Sequence, residues 1–159
     1  MHIIEDTLQQ KGKHDLKHKH FEESGVELIR CRLPFGDYVM PPERSVDTKK
    51  DMDEIANNLC GAEHVRFKNE CIKARDAGCK LFILVENKLG IKTIDDVHLW
   101  SNPRSVYSQN CVQGDRLEKA MKTMRERYGV QFLFCDPSEA AERIVEILRG
   151  DWDAVCKFI

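Results

Sequence analysis

Residues 36–50, GDYVMPPERSVDTKK, decide how this chain is read. They hold two acids, Asp37 and Asp47, a Glu43-Arg44 pair, and a lysine, Lys49, two positions after the second acid. Residues i and i+2 of a strand share a face, so Asp47 and Lys49 point one way and Val46 and Thr48 the other. Placing Val46 in the core fixes the side that Asp47 and Lys49 occupy. A hairpin-like return through Pro41-Pro42 brings Asp37 alongside. Two converging carboxylates repel unless a cation joins them. Mg²⁺ is typically held by one or two carboxylates, with waters and phosphate oxygens completing its shell. A lysine beside such an ion stabilises charge on an attacked phosphate or orients a water. Spacing alone leaves a second reading open, a solvated hairpin with charges on its wet face.

The chain's 159 residues amount to one domain, by the usual prior of about 100–200 residues per domain. An apolar fraction of 42% is enough for a core. Formal charge is −2, whereas a sequence-independent DNA binder is normally basic, so any nucleic-acid contact has to be a local patch. Seven cysteines, none in C-x-x-C spacing and none preceded by a signal peptide, read as reduced thiols of a cytoplasmic protein. The longest apolar run, LFILV at 81–85, is too short to span a membrane.

Around the opening stretch, strands and helices alternate. HIIE at 2–5 reads as a buried strand, 14–24 as a helix stopped by Gly25, and VELIRCRL at 26–33 as a second strand. Asp51 and Glu54 have capping-box spacing and start a helix that turns Ile55 and Leu59 inward. A helix over 64–77 carries Val65, Phe67, Cys71, Ile72 and Ala74. KLFILVE at 80–86 is the clearest strand, and 87–113 is long and weakly patterned. A helix over 114–128, the strand VQFLFC at 130–135 and a helix over 138–149 follow. This order predicts an α/β fold with a central mixed β-sheet flanked by helices.

Gly36-Asp37-Tyr38, SVDTKKDMDEI, HVRFKNE and LFILVEN, in that order, resemble the XPF-type structure-specific nuclease domain. That domain is a branch of the restriction-endonuclease-like PD-(D/E)xK superfamily. The resemblance implies a metal-dependent DNA endonuclease that acts on branched or structured DNA and uses Mg²⁺ or Mn²⁺. Asp37 and Asp47 would bind the metal, with Asp6 as a weaker third acid, and Asp37, Asp47 and Lys49 would be the catalytic set. Asp53 falls on the family's downstream helix acid, Arg66-Phe67 on its Arg-Phe, Glu70 where a Gln is usual, and Glu86 closes the apolar strand. Three departures stand out. Thr48 occupies the position of the motif's Arg, Leu8 and Gln9 stand for an Arg and a Glu after the first strand, and Glu43-Arg44 mimics the motif without its lysine. They keep open an alternative, a non-catalytic DNA- or partner-binding copy of the fold. No helix-hairpin-helix module follows the last helix, and smaller stand-alone versions of this kind look prophage-encoded, which suits a bacterial or phage protein.

Outside the core acids the sequence offers several secondary candidates. Arg66, Lys68 and Lys73 on the second of the two central helices are suited to a DNA backbone, with Glu70 behind the metal ligands. His14, His18 and His20, with Lys17 and Lys19, read as a solvated helix face, with metal or phosphate contact the other option, and Lys11 and Lys13 read either as a flexible loop or as part of a basic rim. Trp100 reads as a loop anchor, with base stacking the other option for it and Tyr107. Ala140, Ala141, Ile144, Val145, Ile147 and Leu148 form an apolar band that has to cover the sheet. Its width, with Trp152 and Phe158 beyond it, points to a homodimer through 138–158.

Overall fold

A computed structural model describes residues 1–9, 12–40 and 44–150. Among the described residues six strands form one mixed sheet in the order β2-β1-β3-β4-β5-β6. β1 (His2–Asp6) lies parallel to β2 (Glu27–Cys31), reached through helix α1 (Asp15–Glu23). β3 (Tyr38–Met40) runs antiparallel to both β1 and β4 (Arg44–Lys49). Helices α2 (Met52–Cys60) and α3 (His64–Asp76) then cross to β5 (Lys80–Glu86), parallel to β4. The crossover to β6 (Gln131–Cys135) holds α4 (Gly114–Tyr128), and α5 (Ala140–Arg149) closes the described chain. The predicted α/β architecture with a mixed central sheet is the one observed.

Both faces of the sheet are covered, which is why β5 reads as an unbroken apolar run. On one face Leu81, Ile83 and Val85 pack with Phe67, Leu117 and Met121 from α3 and α4. On the other, Phe82 and Leu84 join Val46, Phe21 of α1 and Ile144 and Leu148 of α5. Val46 is therefore inside, as expected, and Asp47 and Lys49 face the α2–α3 layer. They are not on a wet surface, because that layer buries them as well.

Several expectations need correcting. The apolar band of α5 is used entirely within this chain, all six residues being at most 6% exposed. No surplus is left on that face for a partner, and Trp152 and Phe158 lie outside the described residues, as do Pro41, Pro42 and Glu43. Arg44 has a structural task, its Nη1 donating to the Ile147 carbonyl at 3.1 Å near the C-terminus of α5. Val65 is exposed although it stands among the apolar residues of the 64–77 helix. The capping box at α2 is offset by one residue. Asp51 Oδ1 accepts from Glu54 N at 2.8 Å, whereas Glu54 Oε2 accepts from the N–H of Lys50 at 2.9 Å.

The stretch 87–113 is ordered around two 3₁₀ turns, Ile94–Leu99 and Pro103–Val106. Thr93 and Asp96 form a reciprocal capping box at the first. Ile91, Ile94, Val97 and Trp100 enter the core, which makes Trp100 the anchor it was read as. Tyr107 is exposed.

Candidate active site

The carboxyl ends of β4 and β5 and the turn before β3 surround an open cavity of about 620 Å³. Backbone pairing fixes Asp37 at its floor. The Asp37 N–H donates to Val46 O at 2.8 Å and its carbonyl accepts from Asp6 N at 2.8 Å. Its carboxylate Oδ2 accepts from Thr48 N at 2.8 Å and Thr48 Oγ1 at 2.7 Å. The residue standing where the related motif has Arg thus orients the first acid instead of reaching for phosphate. Gly36 makes the approach possible. Its φ of +69° is left-handed, and a Cβ there would lie 2.0 Å from Ser45 Oγ. The Gly36 N–H donates to Glu70 Oε1 of α3 at 2.7 Å.

Asp47 and Lys49 form a buried ion pair, 4% and 3% exposed. Nζ donates to Oδ1 at 2.9 Å. It also lies 2.7 Å from Oδ2, but that oxygen receives no well-aligned hydrogen bond. Burial pushes the Asp47 carboxyl above its ordinary range; Lys49 opposes the shift, and the charges of Asp37 and Glu70 add to it. Burial also acts against the charge on Lys49, yet the adjacent Asp47 outweighs it and holds the ammonium protonated. Its Nζ sits 5.3 Å from the ring centroid of Phe67, which adds a weaker attraction.

The other expected residues divide. Arg66, Glu70 and Lys73 share one face of α3 and line the cavity, but Lys68 does not. Arg66 is already engaged, by Glu63 at 2.7 Å and Glu70 at 3.5 Å. Asp6 reaches the cavity with its Oδ1 taken by Leu33 N at 3.1 Å. Asp53 is not among the cavity-lining residues, whereas its neighbour Glu54 is. The histidines of α1 do not form a solvated face. His18 Nε2 lies 2.6 Å from Glu5 Oε1, and Glu5 is also 3.3 Å from Arg30 Nε. Half-buried His14 lines the cavity, its pKa lowered first by burial and then by Lys17.

Sequence reasoning missed the ion pair of Lys17 with Glu86, both nearly buried at the cavity wall. The available signal was the charge that ends the otherwise apolar β5, since a carboxylate there needs a partner.

Among the described residues no three His, Cys, Asp or Glu side chains stand close enough to hold an ion together. The set nonetheless fits a hard divalent cation of the Mg²⁺ or Mn²⁺ kind. Asp37 and Asp47 open on one cavity, an Asp47 oxygen is buried without a hydrogen bond, and burial disfavours the Asp47 charge, which a cation would offset. Two carboxylates with waters suffice for such an ion.

Comparison with known proteins bears on the fold and the family. The fold is similar to XPF from Aeropyrum pernix, with a TM-score of 0.67 at 20% identity over 95% of this chain. It is equally similar to XPF from Aeropyrum pernix in complex with DNA, at 0.67 and 20% over 96%. The chain spans 65% and 66% of those two chains, just under two thirds of each. No curated protein sequence matches it. The model of the ERCC4 domain family matches residues 5–148, the span that runs from β1 through the Asp37–Lys49 hairpin into α5. By that match the chain belongs to the ERCC4 domain family.

Proposed function

We propose that this ERCC4 domain is a metal-dependent DNA endonuclease that hydrolyses phosphodiester bonds in branched or structured DNA. The observation that carries the reading is the buried Asp47–Lys49 pair set beside Asp37 at the carboxyl edge of the sheet, with one Asp47 oxygen unsatisfied. Asp37 and Asp47 would hold Mg²⁺ or Mn²⁺, and Asp6, bound to the Leu33 N–H, would contribute less directly. Such an ion supplies Lewis-acid activation and a more acidic water.

The chain's own groups supply the rest. Thr48 fixes the Asp37 carboxylate through two hydrogen bonds. Lys49 presents a charged ammonium beside the acids, where it can stabilise developing negative charge on the phosphate. Lys73 and Arg66 would take neighbouring phosphates, with Lys68 further out. The DNA in the solved XPF complex accords with DNA as the partner. No described helix is long and apolar enough to cross a membrane, and a cytoplasmic, bacterial or phage-encoded enzyme suits the proposal.

The rival reading, a non-catalytic DNA- or partner-binding copy of the fold, is favoured by one observation. The acids do not converge as a ready three-ligand cluster among the described residues. A cleavage assay over a panel of branched DNAs with Mg²⁺ or Mn²⁺ separates the two. We expect cleavage by the parent and none by Asp47→Ala, which should also melt lower because the Lys49 ammonium is left buried without its partner. Normal cutting by Asp47→Ala means the site is misplaced. A parent that binds DNA but cuts no member of the panel supports the binding copy.

A further inference from the structure

The cavity straddles the edge of the sheet, and its two walls come from helices on opposite faces. α3 and the end of β4 supply Lys50, Arg66 and Lys73 on one side. The start of α1 and the β2–β3 connection supply Lys13, Lys17 and Arg32 on the other. Between them lies an acidic floor that includes Asp37, Asp47, Glu70 and Glu86. A phosphodiester entering that floor meets repulsion, and the net charge of −2 gives it no general attraction. Flanking cations therefore have to hold the backbone on both sides of the reacting phosphate.

The two walls differ in how committed their charges are. Arg66 is shared between Glu63 and Glu70. Lys17 is tied to Glu86. Lys13 is exposed, and among the described residues no carboxylate forms an ion pair with it or with Lys73. Arg32 is exposed as well, and its only ion contact there, with Asp6, is long at 3.9 Å. Lys13 and Arg32 thus face the cavity mouth with charge to spare on the side away from α3.

Resting on the nuclease reading above, we propose that Lys13 and Arg32 form a second phosphate-binding wall. The nucleic-acid strand would then cross the carboxyl edge of the sheet from α1 to α3 instead of lying along α3 alone. Lys17, held by Glu86, backs this wall and keeps Glu86 neutralised, so that the strand meets fewer bare carboxylates on its way in. Each phosphate neutralised by a cation releases counterions, and the salt dependence of binding counts those contacts.

The test measures binding of the full chain to a fluorescein-labelled forked DNA, without divalent metal, across a series of NaCl concentrations. Lys13→Ala and Arg32→Ala should each weaken binding and reduce the slope of log K against log salt, by about 0.9 per phosphate on duplex and about 0.7 on single strand. Lys73→Ala should do the same from the opposite wall. Lys19→Ala, which removes an exposed α1 charge outside the cavity, should leave the slope unchanged. All four positions are exposed, so folding is not at stake. Binding with the parent's affinity and slope by both Lys13→Ala and Arg32→Ala overturns the second wall but leaves the nuclease reading standing. An equal slope loss in Lys19→Ala also overturns it, because the effect would then be net charge alone. A parent that neither binds nor cuts the DNA overturns the nuclease reading, and the wall falls with it.

Discussion

Lys49 and Glu70 hold the two acids of the site in different ways, and substitutions tell those ways apart. Lys49→Met removes the ammonium from beside Asp47 and leaves both acids in place. Asp47 then loses the one neighbour that pulled its pKa down. A carboxyl raised above its unfolded value binds more protons in the folded state, so stability falls as pH rises through the window between the two values. Lys49→Met should therefore lose more stability than the parent between acidic and neutral pH, and added Mn²⁺ should restore more of it at the higher pH. Single-turnover cleavage should fall by about 10²–10⁴, while Mn²⁺ still raises the melting temperature. Cleavage at the parent rate would make Lys49 an ordinary strand-end charge. Glu70 accepts the Gly36 N–H with one oxygen, a bond that a glutamine oxygen can also accept. Glu70→Gln should keep most activity and Glu70→Ala should lose it together with some apo stability, as melting curves will report. Equal loss in both variants would point to a direct metal ligand instead.

At the scale of elements, those that bury an unbroken apolar run or one clean helical face were legible, and those held by isolated contacts were not. β5 and α4 occupy the residues that the apolar run and the helical pattern assigned. α5 begins later than its apolar pattern implied because Asp136 Oδ1 takes Ser138 N and Oγ at 2.9 and 2.6 Å, which makes a turn before the helix. The 87–113 stretch was opaque because neither the strand nor the α-helix period fits it. Its signal was a spacing of three, Ile91, Ile94, Val97 and Trp100, which suits the three residues per turn of a 3₁₀ segment. This turn packs against the first residue of α4 so closely that helix propensity should fail there. Alanine is favoured over glycine by roughly 1 kcal/mol inside a helix. A Cβ at Gly114, however, would lie 2.4 Å from Val97 O, 2.6 Å from His98 O and 2.7 Å from Trp100 O, all backbone. Gly114→Ala should therefore destabilise by about 1–3 kcal/mol in urea melts. A neutral or stabilising result would mean the turn does not sit on α4 as described.

Across the whole molecule, Asp37, Asp47 and Lys49 were legible because strand alternation and one short return place them, all within thirteen residues of sequence. The α1 wall was not, since Lys17 and Glu86 meet across 69 positions and only the assembled sheet brings them together. The same long-range packing bears on assembly. The six apolar residues of α5 are inside this chain, and the face it leaves outward carries Glu142, Arg149 and the Arg143–Glu146 pair at 2.6 Å. A homodimer through 138–158 would therefore draw its apolar contact from residues 151–158, whose sequence contains Trp152, Val155 and Phe158. A C2 arrangement would set two copies of the site in one particle and let both grip a single branched DNA, gaining avidity without new contacts. We expect light scattering over a concentration series to show a dimer for the full chain and a monomer for a chain ending at Gly150. The melting curve of the shortened chain checks that it still folds. A full chain that remains monomeric at every concentration removes the dimer from the proposal. A shortened chain that still dimerises moves the interface to another surface, and the exposed edge strand β2 with Ile29 half-open to solvent would be the next to test.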